Sequence, residues 1–198
     1  FAAAVARFAD RPALGCFGHT LSFRELDRLS AAFASWLQHH TDLKPGDRIA
    51  IQMPNLLQHP VATLGALRAG LVVVNTNPLY TTRELAHQFR DSGARALVVM
   101  ANMAAQAAKV LPETGIRHVV ITEVGDLHPL PRRVLLNAGA RYLKKMVPPY
   151  RIPGAVTLRR ALALGARQVH REQQPARDDV AMLQYTGGTT GVAKGAML

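Results

Sequence analysis

Four short apolar runs, set between segments with helix-start and helix-stop signals, restrict this chain to an α/β fold. Residues 48–51, 71–74, 96–100 and 118–121 are nearly continuous apolar stretches, the pattern of parallel strands buried on both faces. Ser22-x-x-Glu25 is a capping box, and it opens a helix with Leu26, Leu29, Phe33, Trp36 and Leu37 on one face. After the turn Lys44-Pro45-Gly46-Asp47 and the first apolar run, a helix is expected over 58–68, with Pro60 in its first turn and Gly70 to stop it. Thr81-x-x-Glu84 is a second capping box whose helix ends near Gly93, and a further helix covers 102–111. Strand alternating with helix predicts a largely parallel sheet flanked by helices. No internal repeat is present. Trp36 belongs to the core on this pattern, Cys16 is a small buried residue in the apolar run 13–17, and His39-His40 caps or extends a helix end.

The pattern changes at residue 123. Prolines cluster at 129, 131, 148, 149 and 153, and residues 124–177 hold eleven Arg or Lys against two acids, so nearly all of the formal charge of +11 lies here. Three parts follow: an α/β subdomain over 1–122, a basic Pro-containing excursion with helical segments over 123–179, and a strand with its loop over 180–198 that opens the next subdomain. Within the excursion, helices are expected at 132–147 and 157–164. The first puts Leu135, Leu136, Tyr142, Leu143, Met146 and Val147 on one side and Arg133, Arg141, Lys144 and Lys145 on the other. Such a helix either lies on an anionic membrane surface or packs on its own sheet with a solvated basic face. Nucleic acid is not the expected partner, because no binding motif or interleaved aromatics accompany the charge.

Composition removes other classes. The single Cys16 permits neither a disulfide framework nor a Cys-based metal site, which makes a reducing, cytoplasmic compartment the default. Eight scattered histidines without H-E-x-x-H spacing argue against a zinc enzyme. Residues 49–67 are uncharged but contain Gln52, Pro54, Asn55, Gln58, His59 and Pro60, so they are expected as a buried strand and helix, not a membrane span. The amino terminus, interrupted by Arg7, is not a secretory signal. Without an initiator Met, and stopping just past a glycine-rich run, the chain is expected to be a piece of something longer.

Chemistry concentrates in Tyr185-Thr186-Gly187-Gly188-Thr189-Thr190-Gly191-Val192-Ala193-Lys194-Gly195, directly after the apolar strand predicted over 180–185. Glycines let backbone N–H groups converge on anionic oxygens, the threonine hydroxyls add donors, and Lys194 adds a point charge. A Walker A loop is excluded, since Ala193 and Gly195 flank the lysine where Gly and Ser or Thr are required. The alternative is a Gly/Thr surface turn. A non-catalytic basic module acting through 124–177 is the competing function, and it gives this loop no task.

The loop resembles the phosphate-binding loop of the adenylate-forming superfamily, which includes acyl-CoA synthetases, peptide-synthetase adenylation domains and luciferases. Pro is usual in place of Ala193. Leu21-Ser22-Phe23-Arg24-Glu25-Leu26, Lys44 to Ala50, Leu64 to Gly70 and Val74 to Leu85 are also similar to the superfamily. The runs M-P-N-L-L-Q-H-P and N-P-L-Y-T-x-R-E-L, with the basic excursion, look most like bacterial long-chain fatty-acid–CoA ligases. The resemblance implies the N-terminal part of the large domain of a two-step ligase. A long-chain fatty acid would attack the α-phosphate of ATP with Mg²⁺, and coenzyme A would then capture the acyl-adenylate. Aryl- or medium-chain CoA ligases and peptide-synthetase adenylation domains are the alternatives. By the same resemblance Lys194 and Thr190 are the catalytic residues. Tyr185, Thr186, Gly187, Gly188, Thr189, Thr190, Gly191, Lys194 and Gly195 bind the nucleotide, and no metal ligand falls within the chain. The adenosine contacts, the acidic Mg²⁺ ligand and a C-terminal-domain lysine are expected beyond Leu198, so residues 1–198 alone are expected to be inactive. Peripheral docking of 132–147 at the inner face of the cell membrane completes the expectation.

Overall fold

The computed structural model describes residues 1–173, 176–186 and 194–198, with Thr186 in its backbone only. The elements in chain order are α1 (Ala2–Phe8), β1 (Pro12–Cys16), β2 (His19–Ser22), α2 (Phe23–His40), β3 (Arg48–Gln52), α3 (Gln58–Arg68), β4 (Val72–Thr76), α4 (Thr82–Asp91), β5 (Ala94–Met100), α5 (Ala101–Val110), β6 (His118–Thr122), α6 (Arg132–Ala138), β7 (Val156–Thr157), α7 (Leu158–Gly165), β8 (Met182–Thr186) and β9 (Lys194–Met197). Among the described residues, β1 and β2 form a hairpin, and seven strands form one sheet in the order β7-β6-β5-β3-β4-β8-β9. Neighbours in that sheet run parallel except β8 and β9. From β3 the chain winds outward to β4, then returns across β3 to β5, so the winding reverses at the centre of the sheet. The parallel strands end along one edge at Gln52, Thr76, Met100, Thr122 and Thr186, the edge where α/β sheets place their ligands.

Both capping boxes form. Glu25 N donates to Ser22 Oγ at 3.2 Å while Ser22 N donates to Glu25 Oε2 at 2.8 Å, and Thr81 N donates to Glu84 Oε2 at 2.7 Å. Each box satisfies backbone donors that the first helical turn leaves open, which fixes where α2 and α4 begin. Strand alternation then divides the core. Ile49 and Ile51 face α2, α3 and α7, where Phe33 and Trp36 stack with ring centroids 6.0 Å apart. Ala50, Leu97 and Val99 face α4 and α5 with Leu85 and Phe89. Trp36 is buried, as expected. Residues 49–67 form a strand and a helix inside this core, and no helix among the described residues is long and apolar enough to cross a membrane.

Residues 123–179 contribute β7 and α7 to the same layers. A Cβ on Gly165 would lie 1.9 Å from Ala32 O, so α7 approaches α2 as only glycine allows. The chain after α7 is strapped along α2. Ser35 Oγ donates to Gln168 O at 3.0 Å, and Gln38 exchanges two 2.8 Å bonds with the backbone of Arg171.

Three features differ from the sequence expectations. Cys16 is half-buried, because the β1–β2 hairpin covers the body of the fold with one face only. Strand β9 pairs antiparallel with β8 although its sequence KGAM carries no strand signal. The helix expected over 132–147 is α-helical only to Ala138, continues as a π turn over Gly139–Leu143, and ends with Lys145 at φ 50°. Lys144 N closes the π turn on Gly139 O, Lys145 turns the chain out of the helix, and Pro148 and Pro149 then bar its resumption.

Candidate active site

Strand β8 reaches the ligand edge of the sheet beside β4, and Asn75 fixes its register by donating from Nδ2 to Gln184 Oε1 at 2.9 Å. Tyr185 turns to the α4 side. Its ring is 7% exposed against the Leu85 and Phe89 cluster, and its hydroxyl donates to Asp91 Oδ2 at 2.5 Å. Burial first, and then the Asp91 carboxylate, push the Tyr185 phenol far above its ordinary range, so it stays protonated and keeps donating. Gly195 lies across from Tyr185 in β9, and a Cβ there would come within 2.9 Å of Tyr185 Cε2. A glycine lets the β9 backbone rest against that ring.

Thr186 ends β8 and Lys194 begins β9, and the two are opposite one another in register. Lys194 is exposed, and among the described residues it forms no ion pair. Gly187, Gly188, Thr189, Thr190 and Gly191 lie outside the described residues, as does the side chain of Thr186. Tyr185, Lys194 and Gly195 are thus gathered at the facing ends of one strand pair. Sequence reasoning missed Asp91 and the Asn75–Gln184 pair. Asp91 sits in the last turn of α4, 94 residues before Tyr185, and no local signal joins the two.

The basic segment is clasped to the same edge of the sheet. Asp126 accepts from Thr122 Oγ1 at 3.0 Å and from Glu123 N at 2.8 Å. Asn137 of α6 donates to Asp126 and accepts from Gly125 N at 2.7 Å. Burial raises the Asp126 carboxyl above its ordinary range despite these donors. On the other side, His128 is buried, and its Nε2 donates to Cys16 O at 3.2 Å, tying the segment to the β1–β2 hairpin.

Burial first, and then the neighbouring His19 and Arg132 charges, hold the His128 pKa below its ordinary value of about 6.5. The unfolded chain therefore binds the extra proton between the two pKa values. The stability contributed is complete above about pH 6.5 and is lost as pH falls through the folded pKa. Amide-exchange protection of residues 123–131, corrected for intrinsic rates, should drop between about pH 7 and about pH 5. His128→Gln should flatten that drop, and an unchanged profile would count against the clasp.

The whole chain, residues 1–198, matches the AMP-binding enzyme family. It is 50% identical over 198 residues to the long-chain-fatty-acid–CoA ligase of Escherichia coli O157:H7, covering all of this chain and 35% of that protein. The chain therefore spans about a third of the length of that relative. Among solved structures, a long-chain-fatty-acid–CoA ligase from Archaeoglobus fulgidus superposes with a TM-score of 0.75 at 24% identity, over 100% of this chain and 35% of the other. The anthranilate CoA ligase AuaEII, solved with anthranoyl-AMP, superposes with a TM-score of 0.79 at 17% identity, over 98% of this chain and 33% of the other.

Proposed function

The chain belongs to the AMP-binding enzyme family, and on that premise we propose that it supplies the phosphate-loop part of an ATP-dependent long-chain fatty-acid–CoA ligase. The observation that carries this reading is the 50% identity to a ligase of that name along the full 198 residues. The exposed Lys194 opposite Thr186 supports it.

In the first half-reaction a fatty carboxylate attacks the α-phosphate of ATP and pyrophosphate leaves. An anion meets a polyanion, so charge on the departing β- and γ-phosphates must be neutralised by fixed donors and cations. In this proposal Lys194 supplies the cation. Thr186, Thr189 and Thr190 supply hydroxyl donors, and Gly187, Gly188 and Gly191 let backbone N–H groups converge. Tyr185 and Gly195 hold the roots of the loop in register through the Asp91 bond and the ring contact. Once pyrophosphate has gone, the thiol of coenzyme A gives up its proton and attacks the acyl carbonyl of the adenylate, and AMP leaves. For Mg²⁺, no three His, Cys, Asp or Glu side chains gather among the described residues to hold a metal.

The deciding measurement is ATP–pyrophosphate exchange by the full-length protein. Exchange dependent on a long-chain fatty acid is expected. Exchange driven only by an aromatic carboxylate or an amino acid would replace the substrate class.

The reading extends to a peripheral membrane position, where fatty acids partition. The segment α6 with its π turn exposes Leu135 and Leu143, 73% and 80% accessible, beside the exposed Lys144 and Lys145. Each basic residue near an anionic surface contributes about 1 kcal/mol, screened by salt. Co-sedimentation of the full-length protein with anionic vesicles should therefore weaken as salt rises from about 0.1 M to about 1 M, where the Debye length falls to about 3 Å. Salt-independent sedimentation would sink the electrostatic part of this reading.

A further inference from the structure

Between α6 with its π turn and the first turn of α7 runs an open groove of about 340 Å³, lined by Glu123, Arg133, Val134, Arg141, Tyr142 and Arg159 among others. Arg141 is already neutralised by its ion pair with Glu123. Arg133 and Arg159 are not: among the described residues neither guanidinium has an ion-pair or hydrogen-bond partner. Two uncompensated guanidiniums sharing one groove constitute an anion site in waiting, and their planar forks match phosphate oxygens better than an ammonium would. The backbone N–H groups at the start of α7 add a partial positive charge at the same end.

The surroundings select the kind of phosphate. Val134, Leu135, Leu143 and Met146 are each more than half exposed around this segment. A nucleotide or inorganic phosphate would leave them in water, whereas hydrocarbon would cover them at about 25 cal/mol per Å². Among the described residues of 123–173, Tyr142 is the single exposed aromatic, and it does not form the row of stacking platforms that single-stranded nucleic acid requires.

We propose that this groove is a headgroup subsite. Arg133 and Arg159 take the phosphate of an anionic phospholipid, the Tyr142 hydroxyl supplies a further donor, and Leu135, Leu143 and Met146 enter the acyl boundary. The proposal rests on the peripheral-membrane reading above but narrows it from a diffuse charged face to one built site.

Co-sedimentation of the full-length protein with phosphatidylcholine vesicles, with and without phosphatidylglycerol, tests it through two variants that remove the same charge. R133Q/R159Q should weaken binding to phosphatidylglycerol vesicles about ten-fold or more. K144Q/K145Q, altering exposed lysines outside the groove, should weaken it about three-fold or less when both variants are compared in about 1 M salt, where a Debye length of about 3 Å screens the ~1 kcal/mol that each lysine contributes at low salt. Partial recovery in R133K/R159K, with an unchanged urea-unfolding midpoint in all three, separates the effect from misfolding. Equal losses in the two Gln variants would overturn the subsite and leave the diffuse reading standing. No loss in either would overturn both. Binding of glycerol 1-phosphate by a wild-type protein that ignores vesicles would overturn the lipid as the ligand.

Discussion

Lys194→Ala in the full-length protein is expected to slow ATP-dependent acyl-adenylate formation by about 10²–10³, roughly 3–4 kcal/mol of transition-state stabilisation. The size follows from the task. Lys194 stands exposed at the start of β9, opposite the last residue of β8 and free of ion pairs among the described residues, so no internal partner competes for its charge. Removing one preorganised donor to charge that develops on a leaving group costs about that much when water is excluded. The step-specificity is the sharper claim. Thioester formation takes place after pyrophosphate has left, when a group holding the β- and γ-phosphates has lost its ligand. Supplied with preformed acyl-adenylate, the variant should acylate coenzyme A at close to the normal rate. A defect confined to the thioester step would contradict the phosphate-cradle role. Depression of both half-reactions would point instead to damage at the β8–β9 pair, which the Tyr185–Asp91 bond would report as an altered tyrosine environment.

The parts of this architecture that were legible in the sequence are those whose causes are local. Ser22 with Glu25 and Thr81 with Glu84 announce α2 and α4 because a capping box is complete within four residues. The apolar runs at β3, β4, β5 and β6 are readable because both faces of each strand are covered, so every position demands an apolar side chain. What depends on a distant partner was not readable. Strand β9 exists through pairing with β8, and Gly195 is there for the Tyr185 ring rather than for any strand propensity. Strand β7 has two residues and is defined by its register against Val120 and Ile121. The amphipathic period of 132–147 continues in the sequence beyond Leu143, but backbone geometry wins. Lys144 N donates to Gly139 O in the π turn, Lys145 turns left-handed, and Pro148 closes the way. The site shows the same division. The glycine, threonine and lysine pattern marks the candidate loop, while the groups that fix the strands flanking it, Asp91 and the Asn75–Gln184 pair, join only in the folded chain.

Gly165→Ala tests whether the segment beyond residue 123 is structurally part of the sheet it leaves. A methyl group at this position would sit 1.9 Å from Ala32 O and 2.9 Å from Trp36 N, and both obstacles are backbone, so no rotamer change relieves them. Helices α2 and α7 would have to separate, opening contacts among Leu158, Ala161 and Trp36 that are buried in the wild type. Overpacking a tight core typically costs about 1–3 kcal/mol, and an immovable neighbour puts this substitution at or above the upper end. The urea-unfolding midpoint should fall accordingly. Gly139→Ala is the matched control: it is helical, with nothing within 4 Å of an added Cβ, so the same methyl should stabilise by about 0.5–1 kcal/mol. Catalysis should respond differently from stability. Helix α7 follows β7, and β6, β5, β3 and β4 separate that edge from β8, so the folded fraction of Gly165→Ala should carry out ATP–pyrophosphate exchange at the normal rate per molecule. If the midpoint did not move, α7 would not be packed on α2 as described. If exchange fell with folding intact, the loop would be coupled to α7 through the whole width of the sheet.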